Sequence, residues 1–131
     1  MALNNSTPAS ITVLIIDDEP LLRRSLADYL QDEARFVALV AGVAEVGLKM
    51  LVLHRVNVCL VDLRLPGMNG IDFMLRAQEL DPRLRFLIHT GSPEAQLPKA
   101  IIQDIPGYRG VLFKPLADMG EIIHALDRAV E

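Results

Sequence analysis

Residues 56–70 read VNVCLVDLRLPGMNG, a mostly apolar run that ends at Asp62 and passes into a turn containing Pro and two Gly. The apolar positions are nearly continuous rather than alternating, which is typical of a strand buried on both faces of a sheet. Three other runs share this pattern and a weaker fifth resembles them: ITVLII at 11–16, RFLIHT at 85–90, GVLF at 110–113 and FVALV at 36–40. Strands of this kind predict a parallel sheet that is covered by helices.

The segments between these runs have the period of a helix. Leu22, Leu26 and Leu30 recur on one helical face, and a similar apolar stripe follows Met119 in the last segment. Asn69 and Asp118 each precede such a segment and are the residue types that cap a helix. Further helices are predicted at 43–54 and at 94–104, the second of which should start late because Pro98 cannot donate an amide hydrogen bond.

Strand and helix therefore alternate five times along the chain. Right-handed crossovers between parallel strands predict an α/β fold, a doubly wound five-stranded parallel sheet with five helices in a single domain. Residues 1–10 (MALNNSTPAS) are polar and lack periodicity, so we interpret them as a flexible arm and assign the domain to residues 11–131.

Composition excludes several classes of function. The chain has 131 residues, the length of one domain, and a formal net charge of −4, which disfavours direct binding to nucleic acid or to an anionic membrane. No apolar stretch approaches the roughly 20 residues that cross a bilayer, and no basic region precedes an apolar core as in a signal peptide. A single cysteine, Cys59, excludes an internal disulfide framework. We therefore expect a cytoplasmic protein.

Charged or hydroxyl side chains follow four of the five predicted strands. Asp17 and Asp18 follow the first strand, Asp62 the third, Thr90 ends the fourth, and Lys114 follows the fifth. In a doubly wound sheet, sites form beyond the carboxyl ends of the strands, so these side chains should lie close together. An acid at the end of a single strand is commonly only a solvated turn residue or a helix cap. We interpret Glu19, before Pro20, as such a residue.

The three aspartates need a compensating charge. Two carboxylates about 4 Å apart repel by about 1 kcal/mol in water and by about 4 kcal/mol at an effective dielectric constant of about 20. Lys114 and a divalent cation would supply the compensation. Hard oxygen ligands favour Mg²⁺, for which Mn²⁺ can substitute.

These residues carry a resemblance to the receiver domain of bacterial two-component response regulators, over essentially all of 11–131. The similarity rests on the acid pair in LIIDDEP, the aspartate in LVDLRLPGMNG, the hydroxyl residue in LIHTGS and the Lys-Pro pair in LFKPL. It implies a flavodoxin-like (βα)5 fold in which Asp62 accepts a phosphoryl group.

The resemblance also implies the role of each site residue. Asp18 and Asp62 would bind Mg²⁺ directly, Asp17 would do so mainly through water, and the backbone carbonyl of Arg64 would add a ligand. Thr90 and Lys114 would contact the phosphoryl oxygens, and the peptide bond from Lys114 to Pro115 would be cis.

Partners follow from the same resemblance. The phosphoryl donor would be a sensor histidine kinase, a phosphotransfer protein or a small acyl phosphate, and the receiver of the signal an output domain or a downstream protein. A phosphorylation-dependent homodimer is compatible with this pattern. The chain would be a signalling domain and no enzyme beyond its own phosphoryl transfer and dephosphorylation. The sequence does not indicate whether residues 1–131 are a whole protein or one domain of a longer one.

Two positions depart from the pattern. Receivers usually place Tyr or Phe three residues before the lysine of the fifth strand, where this chain has Val111; Phe113 shares its face. Pro98 disturbs the fourth helix. Arg64 and Ser92, two residues beyond Asp62 and Thr90, occupy positions where the family tunes the access of attacking water. These departures leave the expectation of phosphoryl acceptance unchanged, but they disfavour the usual output mechanism.

Two alternatives remain open. The first is a receiver-shaped interaction module in which phosphorylation no longer matters, as Val111 and Pro98 suggest. The second is an enzyme, either a Mg²⁺-dependent phosphohydrolase with an aspartyl intermediate or a flavin carrier. The first strand ends in DDE rather than DxDxT, and no Ser/Thr/Gly-rich phosphate loop follows it, which disfavours both enzymes. His54, His89 and His124 lack metal-ligand spacing.

Overall fold

The computed structural model describes residues 10–131. Its strands are β1 (Ile11–Ile16), β2 (Phe36–Ala41), β3 (Val58–Val61), β4 (Arg85–Thr90) and β5 (Tyr108–Phe113). Its helices are α1 (Pro20–Gln31), α2 (Ala44–Leu53), α3 (Gly70–Leu80), α4 (Lys99–Gln103) and α5 (Gly120–Ala129), with a single 3₁₀ turn at Glu94–Gln96. Apart from Ser10, the predicted arm lies outside the described residues and stays a prediction.

All five strands are parallel and lie in the order β2-β1-β3-β4-β5, which confirms the predicted sheet. The chain runs outward from β1 on one side and then crosses to β3 on the other, so the order reverses between β1 and β3. At such a reversal the carboxyl ends of neighbouring strands border a crevice. Asp17 and Asp62 follow these two strands directly.

Successive residues of each central strand enter two separate cores. Leu14 and Ile16 belong to the apolar cluster on the side of α2 and α3, whereas Val13 and Ile15 belong to the cluster on the side of α1 and α5. Both faces of β1, β3 and β4 are therefore buried, which explains their continuous apolar sequence. None of the helices in residues 10–131 is long and apolar enough to cross a membrane.

Two predicted caps take part in the turns expected of them. The side chain of Asn69 accepts a hydrogen bond from the backbone N–H of Asp72 at 2.9 Å at the start of α3. Asp118 accepts one from the backbone N–H of Gly120, also at 2.9 Å, where α5 begins. Both bonds satisfy an amide of the first helical turn that has no partner within the helix.

The fourth helical segment is much shorter than the predicted span of 94–104. A 3₁₀ turn covers Glu94–Gln96, and α4 itself has five residues because it starts only after Pro98. Proline has no amide hydrogen to donate to an interior turn, so the late start was predictable. The end at Gln103 agrees with the predicted end to within one residue, and Pro106, three residues later, restricts the residue before it.

Candidate functional site

Lys114 joins two of the predicted acids at the carboxyl edge of the sheet. Its Nζ lies 2.9 Å from Oδ2 of Asp17 and 3.0 Å from Oδ2 of Asp62. Both aspartates are buried, with 2% and 5% of their surface exposed. The lysine therefore compensates, in the described structure, the repulsion between carboxylates that the sequence places on separate strands.

The same local bond orients three of the strand-end side chains. Oδ1 of Asp17 accepts from the N–H of Glu19 at 2.9 Å, and Oδ1 of Asp62 accepts from the N–H of Arg64 at 3.0 Å. Oγ1 of Thr90 likewise accepts from the N–H of Ser92 at 3.1 Å. Asp, Ser and Thr commonly bond the backbone two residues on, and here the bond fixes each side chain at the rim.

Asp18 completes a group that could hold a metal ion. One carboxylate oxygen from each of Asp17, Asp18 and Asp62 lies within 4.8 Å of the others, and Asp18 is the exposed member. Carboxylate oxygens with room for water are the ligands that Mg²⁺ prefers. The donor set therefore fits a hard divalent cation.

Opposing effects set the pKa of Lys114. Burial alone would lower this pKa, but the hydrogen bonds to Asp17 and Asp62, together with their negative charges, outweigh burial and raise it above the usual lysine value. The ammonium group is therefore held in its charged form at neutral pH. The peptide bond from Lys114 to Pro115 is cis, as the resemblance implies.

A hydrogen bond links the loops that follow β3 and β4. Nε of Arg64 donates to Oγ of Ser92 at 3.0 Å, and Thr90 between the two loops is fully buried. Arg64 thus contacts the Asp62 loop through its backbone and the Thr90 loop through its side chain. The loop after Asp62 and the loop after Thr90 are therefore joined through one residue.

His89 lies on the opposite face of β4 from Thr90, as its sequence position predicts. It is 3% exposed and lines a cavity of about 410 Å³ next to Lys114 and Glu19. Burial lowers its pKa, and the nearby Lys114 charge adds to this effect.

Cys59 is fully buried inside β3, and burial raises the pKa of its thiol. The side chains of His89 and Cys59 are therefore both held neutral.

Sequence reasoning missed two contacts at this site. Oε1 of Glu19 lies 3.5 Å from Nζ of Lys114, although Glu19 was interpreted only as a turn or cap residue. Nη1 of Arg23 donates to the backbone carbonyl of Asp17 at 2.8 Å and thus holds the loop after β1. Arg23 lies four residues after Glu19 and so on the same face of α1. This spacing could have indicated that Arg23 lies over the loop after β1.

The face formed by α4 and β5 contains a cavity. Val111 and Phe113 are half-buried, and they line a cavity of about 250 Å³ together with Leu97 and Ile102. Between Phe86 and Ile88 the pairing of β4 with β5 shifts by one residue, because β5 contributes an extra residue there. This region holds the two departures from the usual sequence pattern.

Comparison with known proteins agrees with this geometry. The family model described as response regulator receiver domain matches residues 13–127. Transcriptional regulatory protein GlrR of Escherichia coli strain K12 is 29% identical over 119 residues, which are 91% of this chain and 26% of GlrR. Autoinducer 1 sensor kinase/phosphatase LuxN of Vibrio campbellii is 32% identical over 89 residues, 68% of this chain and 10% of LuxN.

A solved structure has the same fold. The response regulator receiver protein from Pseudomonas putida superimposes with a TM-score of 0.82 at 22% identity, covering 93% of this chain and 99% of that protein. The curated relatives are longer, and the chain spans about a quarter of GlrR.

Proposed function

This chain belongs to the response regulator receiver domain family, and on that basis we propose that Asp62 accepts a phosphoryl group from a partner phosphohistidine in the presence of Mg²⁺. The observation that carries the proposal is the contact of one lysine, Lys114, with both Asp17 and Asp62 beside a third carboxylate. A carboxylate that is oriented, buried at a rim and next to a fixed positive charge suits phosphoryl acceptance.

The transfer needs positioning more than covalent assistance. An oxygen of the Asp62 carboxylate attacks phosphorus in line with the bond to the donor. That bond breaks, the donor leaves with its electron pair, and Asp62 becomes an acyl phosphate. Lys114 neutralises charge on the phosphoryl oxygens. The Thr90 hydroxyl accepts from Ser92 and so keeps its own hydrogen free to donate to one of those oxygens.

Three carboxylates and one carbonyl would hold the metal. Asp18 and Asp62 would bind Mg²⁺ directly, Asp17 mainly through water, and the carbonyl of Arg64 would add an oxygen. When bound, Mg²⁺ neutralises negative charge on the phosphoryl group. Lys114 contacts the same carboxylates as the cation, so the residues of this chain supply part of that neutralisation without it.

Phosphorylation becomes a signal through the loop after β4. A phosphoryl group adds roughly 1.5 to 2 negative charges at neutral pH. The hydroxyl of Thr90 moves toward the new oxygens, and the bond from Arg64 to Ser92 carries the loop with it. An output domain, a downstream protein or a second copy of the chain would read the change, with a sensor histidine kinase or phosphotransfer protein as donor. The chain would catalyse only its own phosphorylation and dephosphorylation, in the cytoplasm.

Intact mass measurement after incubation with Mg²⁺ and acetyl phosphate tests the proposal. We expect one phosphoryl adduct on the unaltered chain and none on Asp62→Asn. The matched control Asp28→Asn removes an exposed carboxylate on α1 and should leave the adduct in place. An adduct that persists in Asp62→Asn would disprove the assignment of the acceptor.

A second candidate is an interaction module that works without phosphorylation. The five-residue α4 and the cavity beside Val111 favour it, because the surface that usually responds to phosphorylation lacks its aromatic residue. Failure of the unaltered chain both to form an adduct and to bind beryllofluoride would support this candidate over the first.

A further inference from the structure

The amino edge of the sheet, opposite Asp62, contains a second charged concavity. Its lining comes from the loops that enter β1, β3 and β4 and includes Arg55, Arg83 and Arg85 together with Thr12 and Asn57. The cavity measures about 440 Å³, within the range of small-molecule sites, which runs from about 300 to about 1,000 Å³. The proposed function does not use any of these residues.

Positive charge is in excess at this cavity. Three arginines line it with a single carboxylate, Asp81. Within residues 10–131, none of the three arginines has a carboxylate oxygen within 4.0 Å. Oδ1 of Asp81 instead accepts from the backbone N–H of Arg83 at 2.9 Å. A local excess of positive charge in a chain of net charge −4 indicates an anionic ligand.

Arg85 is held in place and has a donor to spare. Its Nη1 donates to the backbone carbonyl of Arg83 at 2.6 Å, which fixes the guanidinium group. Its Nε is buried and has no hydrogen-bond partner in the described part of the chain. A buried donor without an acceptor is unfavourable, so a small rotation of the guanidinium group that brought Nε to a ligand oxygen would stabilise the complex. Guanidinium groups donate several hydrogen bonds in one plane, a geometry that matches phosphate oxygens.

Asn57 adds a polar group with a fixed orientation. Its Oδ1 accepts from the backbone N–H of Thr12 at 2.8 Å, which ties the entry of β3 to that of β1. The amide therefore presents its Nδ2 as the remaining donor of a residue that lines the cavity. Donors thus outnumber acceptors among the side chains of this site.

We propose that this cavity binds a small molecule through a pyrophosphate or phosphomonoester group, held by Arg55, Arg83 and Arg85. A compact anion with several charges can pair with three guanidinium groups that line one cavity, whereas a single carboxylate can pair with fewer of them. A small ligand also fits better than a nucleic acid, because the arginines line a concavity and the chain as a whole is acidic. The site lies at the other edge of the sheet from Asp62 and does not depend on phosphoryl acceptance.

Titration of the whole chain with inorganic pyrophosphate and, separately, with ADP tests the proposal. The buffer contains EDTA and no phosphate, and the readouts are calorimetry and amide NMR shifts. Without a divalent cation, the three aspartates of the carboxyl edge repel the anion and do not compete for it. We expect saturable binding of pyrophosphate with shifts at Thr12, Asn57 and Val130, residues that line the cavity. Tighter binding of ADP than of pyrophosphate would identify a nucleotide as the source of the group. Equal binding of the two would identify a free phosphate compound as the source.

Two matched double variants locate the binding. Arg55→Gln with Arg83→Gln changes two exposed cavity residues and should weaken pyrophosphate binding at least about tenfold. Arg24→Gln with Arg76→Gln removes the same charge from exposed positions on α1 and α3 and should have little effect. Equal weakening by both variants, or the absence of saturable binding, would overturn the proposal. Binding of a glutamate-rich peptide but not of pyrophosphate would also overturn it and indicate a protein-docking site.

Discussion

At the carboxyl edge of the sheet, one lysine contacts two buried aspartates, whereas at the amino edge three arginines share a cavity with one aspartate. The direction of the helices accounts for the sign of charge at each edge. In this fold the helix N-termini, which carry partial positive charge, lie at the carboxyl edge, and the C-termini lie at the amino edge. Asp17 lies three residues before α1 begins, and Arg83 lies three residues after α3 ends.

The two edges differ in how completely their charges are paired. The carboxylates of Asp17 and Asp62 each accept one bond from the backbone and one from Lys114, so both oxygens are satisfied. The three arginines of the cavity at the amino edge, Arg55, Arg83 and Arg85, have no carboxylate partner in residues 10–131. The comparison indicates that the acidic edge is organised by the protein itself, whereas the basic edge is available to an external anion.

The largest expected effect comes from removing Lys114. Lys114→Met leaves two buried carboxylates without a cation, and breaking a buried ion pair from one side costs about 3 kcal/mol or more of unfolding free energy. Urea denaturation without metal measures the loss. Addition of Mg²⁺ should restore more stability to this variant than to the unaltered chain, because the ammonium group no longer competes for the same oxygens.

Lys99→Met is the matched control for this prediction. Lys99 forms an ion pair with Glu94 in which both side chains are more than half exposed, and such pairs contribute at most about 1 kcal/mol. If Lys114→Met lost no more stability than Lys99→Met, the carboxyl edge would not depend on its buried pairing.

The next effect compares two glycines, one at each edge. A Cβ on Gly107 would lie 2.0 Å from the carbonyl oxygen of Leu84 at the amino edge. A Cβ on Gly70 would lie 2.5 Å from the carbonyl oxygen of Asp62 at the carboxyl edge. We expect each alanine substitution to cost about 1 to 3 kcal/mol, with Gly107→Ala at the upper end because its contact is closer.

The two alanine variants should differ in phosphoryl acceptance. Gly70→Ala displaces the backbone of Asp62 and should slow adduct formation from acetyl phosphate. Gly107→Ala leaves that backbone in place and should not change the rate, provided that both are measured well below their unfolding midpoints. Equal slowing by the two variants would mean that the edges are not independent.

The acidic edge was predictable from the sequence, whereas the basic edge was not. Asp17 and Asp62 each follow an apolar run directly, so recognising the strands was enough to predict that they lie at one edge of the sheet. Arg55, Arg83 and Arg85 enter through two loops of ordinary composition, and only the pairing of β1, β3 and β4 brings them together. The contact of Glu19 with Lys114 depends on side-chain conformation, which no periodicity encodes.

The smallest effect concerns the ion pair between Arg35 and Asp127, which joins the entry of β2 to the end of α5. Arg35 donates from both terminal nitrogens to the Asp127 carboxylate, and this hydrogen bonding lowers the carboxyl pKa. Both side chains are more than a third exposed, so solvent screens the interaction. Asp127→Asn should therefore lower the melting temperature by no more than about 3 °C at pH 7.

The pH dependence of this small loss identifies its origin. A carboxyl group whose pKa is lower in the folded state contributes stability above its unfolded pKa of about 3.9, and this contribution disappears as the pH falls through the folded value. The difference between Asp127→Asn and the unaltered chain should thus be constant near neutrality and vanish in acid. A difference that persisted at low pH would indicate that Asp127 stabilises α5 by packing and not by its charge. The contact between Arg35 and Asp127 would then contribute through van der Waals packing.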